Sequence, residues 1–376
     1  MYLKLTACLF IIITVSSCDL SNEKSTSPNN IVFDMNNTSS GNIESYFGDV
    51  SVIKIDKKNL LIGKIGKIIS CNDYFIIYDS YAKKIHKIDK KGHLVLTIGN
   101  FGQAPGEYLE VASLSANYET NELVVTDIQS KLTFFDMNTG IVKKELRLPF
   151  VPLYYLSYFG HNYYLFTGRS GGTKNNQVTI LDDSLKAIGQ TIPYKINSSV
   201  CFLSSQPLQN IDKSLYCLPV YDQTIYKINQ LHTQFIPAYS LDFGRHNMPI
   251  QALETNPKYT KSQDWLETPQ KEDFIMFLNY YMLNQNIFFT FSLHGDNLFG
   301  MYNIKNQKSV VIDKITDLPF LKNNYPVGVV DGSLVFAIDC DKIDLSKKYP
   351  AKLSKLLTSV RPDDNQIILI LKPKIQ

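Results

Sequence analysis

A chain of 376 residues, 44% hydrophobic and 19% charged, has room for one large all-β domain or two ordinary domains and is too apolar for global disorder. Its 23 Tyr and 21 Phe against one Trp favour sheet over helix. A net charge of +3 without any long basic block argues against nucleic acid as a partner.

The first stretch reads as a leader. Met1 to Lys4 is short and weakly basic, and Leu5 to Val15 is an apolar run of signal-peptide length, too short to span a bilayer. Val15-Ser16-Ser17-Cys18 follows and resembles a bacterial lipobox, whose small residues admit a signal peptidase and whose Cys thiol takes a diacylglycerol. The expectation is a signal peptide over residues 1–17, lipidation at Cys18, a polar tether over 18–30 and a folded domain over 31–376. An ordinary secretory leader with an accidental Cys is the alternative.

Of six cysteines, Cys8 leaves with the leader and Cys18 carries the lipid. Cys71, Cys201, Cys217 and Cys340 then allow three disulfide pairings in an oxidising envelope, although burial as free thiols inside strands is the simpler expectation. No CxxC occurs, which argues against zinc and thioredoxin chemistry.

From Tyr74 onward a strand pair recurs. Tyr74–Asp79 and Lys84–Asp89 are followed by 123–127 and 131–136, 163–167 and 178–182, 215–218 and 224–229, and 287–291 and 298–303. The closing residues Asp89, Asp136, Asp182 and Asn229 stand 47, 46 and 47 residues apart, a propeller-blade period. One four-stranded blade cannot bury both faces alone; blades stacked in a ring can, and closure leaves only short edges. The next interval, to Asn303, is 74 residues. Its excess, residues 244–286, reads as an insertion on one face of the ring, with Phe274–Leu283 open between helix and buried strand. A sixth unit starts at Ser333–Ile338 and ends in Gln366–Leu371, interrupted by Leu345, Leu353, Leu356 and Leu357 at helical spacing. The early strands Ile31–Phe33 and Val50–Ile55 have no blade of their own. At least one is expected to complete the last blade and shut the ring. The fold class is therefore all-β, a six-bladed β-propeller with helical insertions in the last two blades.

The candidate functional residues form no enzyme signature. The connector Gly99-Asn-Phe-Gly-Gln-Ala-Pro-Gly-Glu107-Tyr108 has glycines but no P-loop ending, so an inter-blade turn is the better reading, with Glu107 and Tyr108 as candidate pocket residues. Arg169 sits in a glycine-rich loop between two strands, Arg245 and His246 open the insertion, and His294 lies in a strand-to-strand turn; these four complete the candidate ligand-facing set. No HxH or HExxH occurs, and the GxSxG letters at Gly168-Arg169-Ser170-Gly171-Gly172 fall in a loop between two strands, not in the strand-to-helix turn of a nucleophile elbow, so no metal, cofactor or catalytic residue is assigned. The aromatic run Tyr154–Phe159 with Tyr163 and Tyr164 fits blade core better than a sugar platform.

The lipobox, the Ile98-Gly99 to Gly106-Glu107-Tyr108 connector, the aromatic insertion and Asp363-Asp364-Asn365 before an apolar strand together resemble the uncharacterised six-bladed β-propeller lipoproteins of Gram-negative gut bacteria, similar in style to NHL-repeat and TolB-like propellers. Ala104 stands where that family typically has Gly. The resemblance implies a lipid-anchored protein of the cell envelope, at the outer membrane, and no particular reaction. Two functions are open on this reading: a module binding a small molecule, glycan or protein and accessory to nutrient uptake at the outer membrane, or an envelope lyase or hydrolase with its site at the axial mouth.

Overall fold

The computed structural model describes residues 27–148, 155–167, 176–196, 206–211, 213–260, 267–347 and 349–374. Cys18, Cys201 and Arg169 lie outside the described residues. Three strands open the chain: β1 (Asn29–Val32), β2 (Thr38–Gly41) and β3 (Phe47–Lys54). Blade I is β4 (Ile65–Cys71), β5 (Tyr74–Asp79), β6 (Lys84–Asp89) and β7 (Leu94–Ile98). The short parallel pair β8 (Asn100–Phe101) and β9 (Glu107–Tyr108) forms the connector. Blade II is β10 (Val111–Asn117) to β13 (Val142–Arg147), with β11 (Glu122–Asp127) and β12 (Lys131–Asp136) between. Blade III holds β14 (Tyr155–Phe159), β15 (Asn162–Phe166), β16 (Asn176–Leu181) and β17 (Ala187–Pro193). Blade IV holds β18 (Leu208–Ile211), β19 (Ser214–Cys217), β20 (Thr224–Ile228) and β21 (Phe235–Asp242). Blade V holds β22 (Met276–Leu283), β23 (Asn286–Leu293), β24 (Asp296–Asn303) and β25 (Lys308–Ile315). Blade VI holds β26 (Gly328–Val330), β27 (Ser333–Ile338) and β28 (Ile367–Pro373), and takes β3 as its outermost strand.

That last pairing closes the ring. β28 and β3 are antiparallel from Ile367 opposite Lys54 to Pro373 opposite Phe47, and the innermost strands β4, β10, β14, β18, β22 and β26 touch in a complete circle. The other early strand, expected at Ile31–Phe33 and observed as β1, closes no blade. β1 adds in parallel to β21 at the rim of blade IV, and β2 adds in parallel to β25 at the rim of blade V. The N-terminal segment thus runs around the outside over blades IV, V and VI, covering two otherwise open sheet edges.

The apolar strands are explained by where alternate side chains go. In β11, Leu123 and Val125 join the cluster shared with blade I, while Val124 joins the one shared with blade III. In β12, Phe135 and Phe134 divide the same way. Period-two alternation therefore feeds two different junctions, and the strands read as unbroken apolar runs. Six such clusters fill the six junctions.

The repeated closing Asp or Asn has a separate cause. Asp89 accepts the amides of Lys91 and His93 at 2.8 and 2.9 Å, Asp136 those of Asn138 and Thr139 at 2.9 Å, and Asn303 those of Lys305 and Asn306 at 3.1 and 3.0 Å. Each is a side-chain cap on the turn between a blade's third and fourth strands, the role in which short carbonyl side chains excel.

Chain direction sorts the loops. Turns from first to second and third to fourth strand share one face of the ring, the turn face, and are all short. Turns from second to third strand and the connections between blades share the other, the loop face. Both helical insertions lie there. Residues 243–275, between blades IV and V, carry the helices Ile250–Thr255 and Pro257–Thr260 and pack Leu253, Tyr259 and Phe274 over the blade III–IV junction. Residues 339–366, inside blade VI, carry the helix Ala351–Leu357 and pack Leu353 and Leu357 over the blade V–VI junction. The expected insertion over 244–286 is shorter than its sequence suggested, because Met276–Leu283 is the innermost strand of blade V; buried on both faces, it has no alternation to betray it. Cys71, Cys217 and Cys340 are buried free thiols.

Candidate functional site

The six innermost strands enclose an axial channel of about 620 Å³. Its position follows from the strands' own alternation. In β10, Val111, Ser113, Ser115 and Asn117 are buried, whereas Ala112, Leu114 and Ala116 are half-exposed towards the axis. The wall combines Lys67, Ile69 and Ser70 of blade I with Leu114 and Ala116 of blade II, Tyr155 and Ser157 of blade III, Asn210 and Ile211 of blade IV, Met282 of blade V and Val329 of blade VI. Tyr118, Asn284, Asp331 and Gly332, all in first-to-second-strand turns, frame the end at the turn face.

Near the loop face two contacts cross the ring. Lys67 Nζ donates to the Tyr155 hydroxyl at 3.3 Å, linking blades I and III, and Gln206 Nε2 donates to the Val327 carbonyl at 3.4 Å, linking the entries to blades IV and VI. The turn-face mouth has no comparable crossing among the described residues.

Most polar wall groups serve packing. Ser113 and Ser115 Oγ accept the amides of Leu156 and Tyr158 at 3.1 and 3.2 Å, tying blade II to blade III. Gln209 accepts the Met282 amide at 2.8 Å and donates to the Tyr280 carbonyl, tying blade IV to blade V. Asn210 Nδ2 donates to the Tyr158 carbonyl at 3.4 Å. Towards a narrow axis the inner strands converge, and short polar side chains satisfy backbone groups there that no ladder reaches.

Lys67 is different. Its ammonium lies 4.8 Å from the centre of the Tyr155 ring as well as against its hydroxyl. Burial pushes the Lys67 pKa down to about 8 and pushes Tyr155 up. The residue is half-exposed, but to the cavity, and the low-dielectric walls around its amine penalise charge. Asp331, the one acid among the described lining residues, is at the mouth with its side chain 83% exposed, 3.9 Å from Lys90. The channel therefore holds a cation without bringing an acid and a base beside it.

The residues singled out in the sequence fall elsewhere. Tyr108 is 1% exposed and lies in the blade I–II junction, where its hydroxyl donates to the Ile98 carbonyl at 3.1 Å and accepts the Ile85 amide at 3.0 Å. Glu107 folds back onto its own loop, accepting the Ala104 amide at 2.9 Å. Neither lines the channel: this loop staples two blades, with Gly99 and Gly106 at φ of +62° and +82° making its bends. Arg245, His246 and His294 do come together, on the loop face. Asp273 Oδ1 lies 2.9 Å from His246 Nδ1 and 2.9 Å from His294 Nε2, and Arg245 Nε donates to His246 Nε2 at 3.2 Å. The hydrogen bond from His294 holds the Asp273 carboxyl below its usual range, with desolvation opposing and the nearby His246 and Arg245 assisting. The cluster joins the insertion to the turn of blade V. Among the described residues, no set of three or more His, Cys, Asp or Glu side chains is arranged to hold a metal.

Sequence reasoning missed Lys67 and assigned Tyr155, within the aromatic run, to blade core, whereas it lines the channel. The available sign was a lysine inside the apolar stretch Ile65-Gly-Lys67-Ile-Ile, where a strand facing solvent would show alternation.

A family model described as "Domain of unknown function (DUF4934)" matches residues 28–372. No curated protein matches the sequence. Among solved structures, a Bacteroides fragilis protein named for an expected export superposes with a TM-score of 0.81 at 21% identity, over 92% of this chain and 100% of that one. A member of the DUF4221 family from Bacteroides vulgatus superposes with a TM-score of 0.50 at 10% identity, over 87% of this chain and 97% of that one. At these identities the likeness shows the propeller fold.

Proposed function

The chain belongs to the DUF4934 family, and from that premise we propose that it is a binding module that takes a small organic ligand into its axial channel from the turn face. The observation that carries this reading is the channel itself: about 620 Å³, within the ordinary range of ligand sites, with apolar side chains, amides and hydroxyls in its wall. A lyase or hydrolase at the axial mouth would need an acid and a base within reach of one substrate atom. The described wall offers Lys67 inside and a solvated Asp331 at the rim, and that supports binding over turnover.

The cellular address is part of the same proposal. Val15-Ser16-Ser17-Cys18 supports lipidation at Cys18 and an envelope location, and the name of the Bacteroides fragilis neighbour agrees with export. An outer-membrane accessory role in nutrient uptake extends this reading to a partner. Labelling of the native host's protein with an alkyne fatty acid, lost in C18A, tests the anchor; co-purification of a transporter with the lipidated protein tests the partner.

The binding reading is tested by a thermal-shift screen of the purified protein against a small-molecule library, with A116W as the control that fills the channel. Ligands that stabilise the wild type and leave A116W unmoved support it. A library without hits, or hits indifferent to A116W, overturns it.

A further inference from the structure

We propose that Lys67 anchors a carboxylate site inside the channel and that the ligand is a monocarboxylate with an apolar body. The inference rests on the channel being the binding cavity and names the chemistry held there.

The first ground is an unmatched charge. Lys67 has one hydrogen-bond partner among the described residues, the neutral Tyr155 phenol at 3.3 Å, and the face of the same ring at 4.8 Å. No described carboxylate pairs with it. An ammonium kept from bulk water without a counter-ion is unfavourable, and the Tyr155 contact that links it to blade III supplies no negative charge. Ser113, Ser115, Gln209 and Asn210 each satisfy a neighbouring blade's backbone; Lys67 satisfies none. A buried cation left without a counter-ion is the kind of group that binding sites retain.

The second ground is the amount of charge. One ammonium balances a single negative charge and, with one N–H on the Tyr155 hydroxyl, keeps two N–H donors for it, one for each oxygen of a carboxylate. A phosphate dianion would leave net negative charge in a confined wall, and the described lining residues include neither the arginines nor the helix N-terminus that usually compensate it. The third ground is the remainder of the wall. Ile69, Leu114 and Val329 face the same space and suit an apolar body below the charged head. The depressed Lys67 pKa has the same origin, and a bound carboxylate would raise it.

Calorimetric titration of the purified protein with octanoate, 1-octanol and inorganic phosphate tests this. The expected result is octanoate binding that falls at least tenfold in K67M, octanol binding that is weak and equal in both, and no measurable phosphate binding. A second measurement guards against misfolding of K67M: in the wild type with ¹³C-dimethylated lysines, one resonance titrating near pH 8 should shift its midpoint upward when octanoate is added. Undiminished octanoate binding in K67M, a midpoint that does not move, phosphate competing with octanoate, or octanoate binding retained by A116W would each overturn the site. If library ligands lost in A116W are indifferent to K67M, the carboxylate site fails and the channel still stands as a binding cavity.

Discussion

Lys54, at the end of the N-terminal strand that closes the ring, places its Nζ 2.6 Å from Oδ2 of Asp364, just before the C-terminal strand, and the Asp364 side chain is 3% exposed. Lys57 Nζ lies 3.5 Å from the other oxygen. The two ends of the described chain are thus joined by charge as well as by the β28–β3 ladder. Burial alone would raise the Asp364 carboxyl, but Lys54, the Arg361 amide and Lys57 outweigh it and hold it below the ordinary carboxylate range. A carboxyl depressed in the folded state contributes stability that is full above its unfolded pKa of about 4 and is lost as pH falls through the folded value. D364N should therefore cost about 1–2 kcal/mol at pH 7, the partly exposed Lys54 limiting the effect, and the difference from wild type should shrink below about pH 4. Urea melts across pH 3–7 check this; a difference constant over that range contradicts it.

The outer belt has its own anchor. Phe33 follows β1 and is 2% exposed, its ring 5.0 Å from Phe243 and 5.3 Å from Phe289. Because β1 and β2 cover edges of blades IV and V, F33A should destabilise the protein by about 3–4 kcal/mol while the β28–β3 closure survives. Hydrogen exchange should show faster amides in β1 and β21 and unchanged ones in β3. Equal loss of protection in β3 would mean that belt and closure unfold as one unit.

The parts of this fold that were legible and those that were not differ in physics. Strands such as β11 and β12 feed two junctions at once, and their turns end in Asp or Asn caps, so both composition and spacing mark them. β2, Thr38-Ser-Ser-Gly41, is held at an edge by its parallel ladder with β25 and carries no apolar pattern. The channel is less legible still. Lys67, Ala116, Tyr155, Asn210, Met282 and Val329 meet only because six strands from distant parts of the chain converge, and each alone resembles an ordinary strand residue. The histidines were noticeable as residue types, but nothing in the sequence linked His246 to His294 through Asp273.

The connector gives a contrasting test. The Tyr108 hydroxyl joins the Ile98 carbonyl to the Ile85 amide, so Y108F leaves both groups short of a partner in a dry junction. The expected cost is about 1–3 kcal/mol in a denaturant melt, with ligand binding in the channel unchanged. Reduced binding at full stability would assign this loop a role at the site.

The buried thiols predict behaviour on the alkaline side. Burial raises Cys217 well above its usual range and pushes Cys340 up to about 11; Cys71 is raised by burial too, against the opposing pull of Lys87 and Lys90. Thiolates are the reactive form, so iodoacetamide at pH 8 should leave all three unmodified in the native protein and modify them in urea, as read by mass spectrometry. The same shifts impose a pH dependence. A thiol whose folded pKa is raised stabilises the fold below its unfolded value of about 8.5 and loses that contribution as pH rises towards the folded one. Stability should fall between about pH 8.5 and 11, less steeply in C340A, in which Sγ no longer donates to the Asn365 carbonyl at 3.0 Å. Native-state alkylation of Cys217 would show that the junction between blades III and IV opens far more readily than its packing implies.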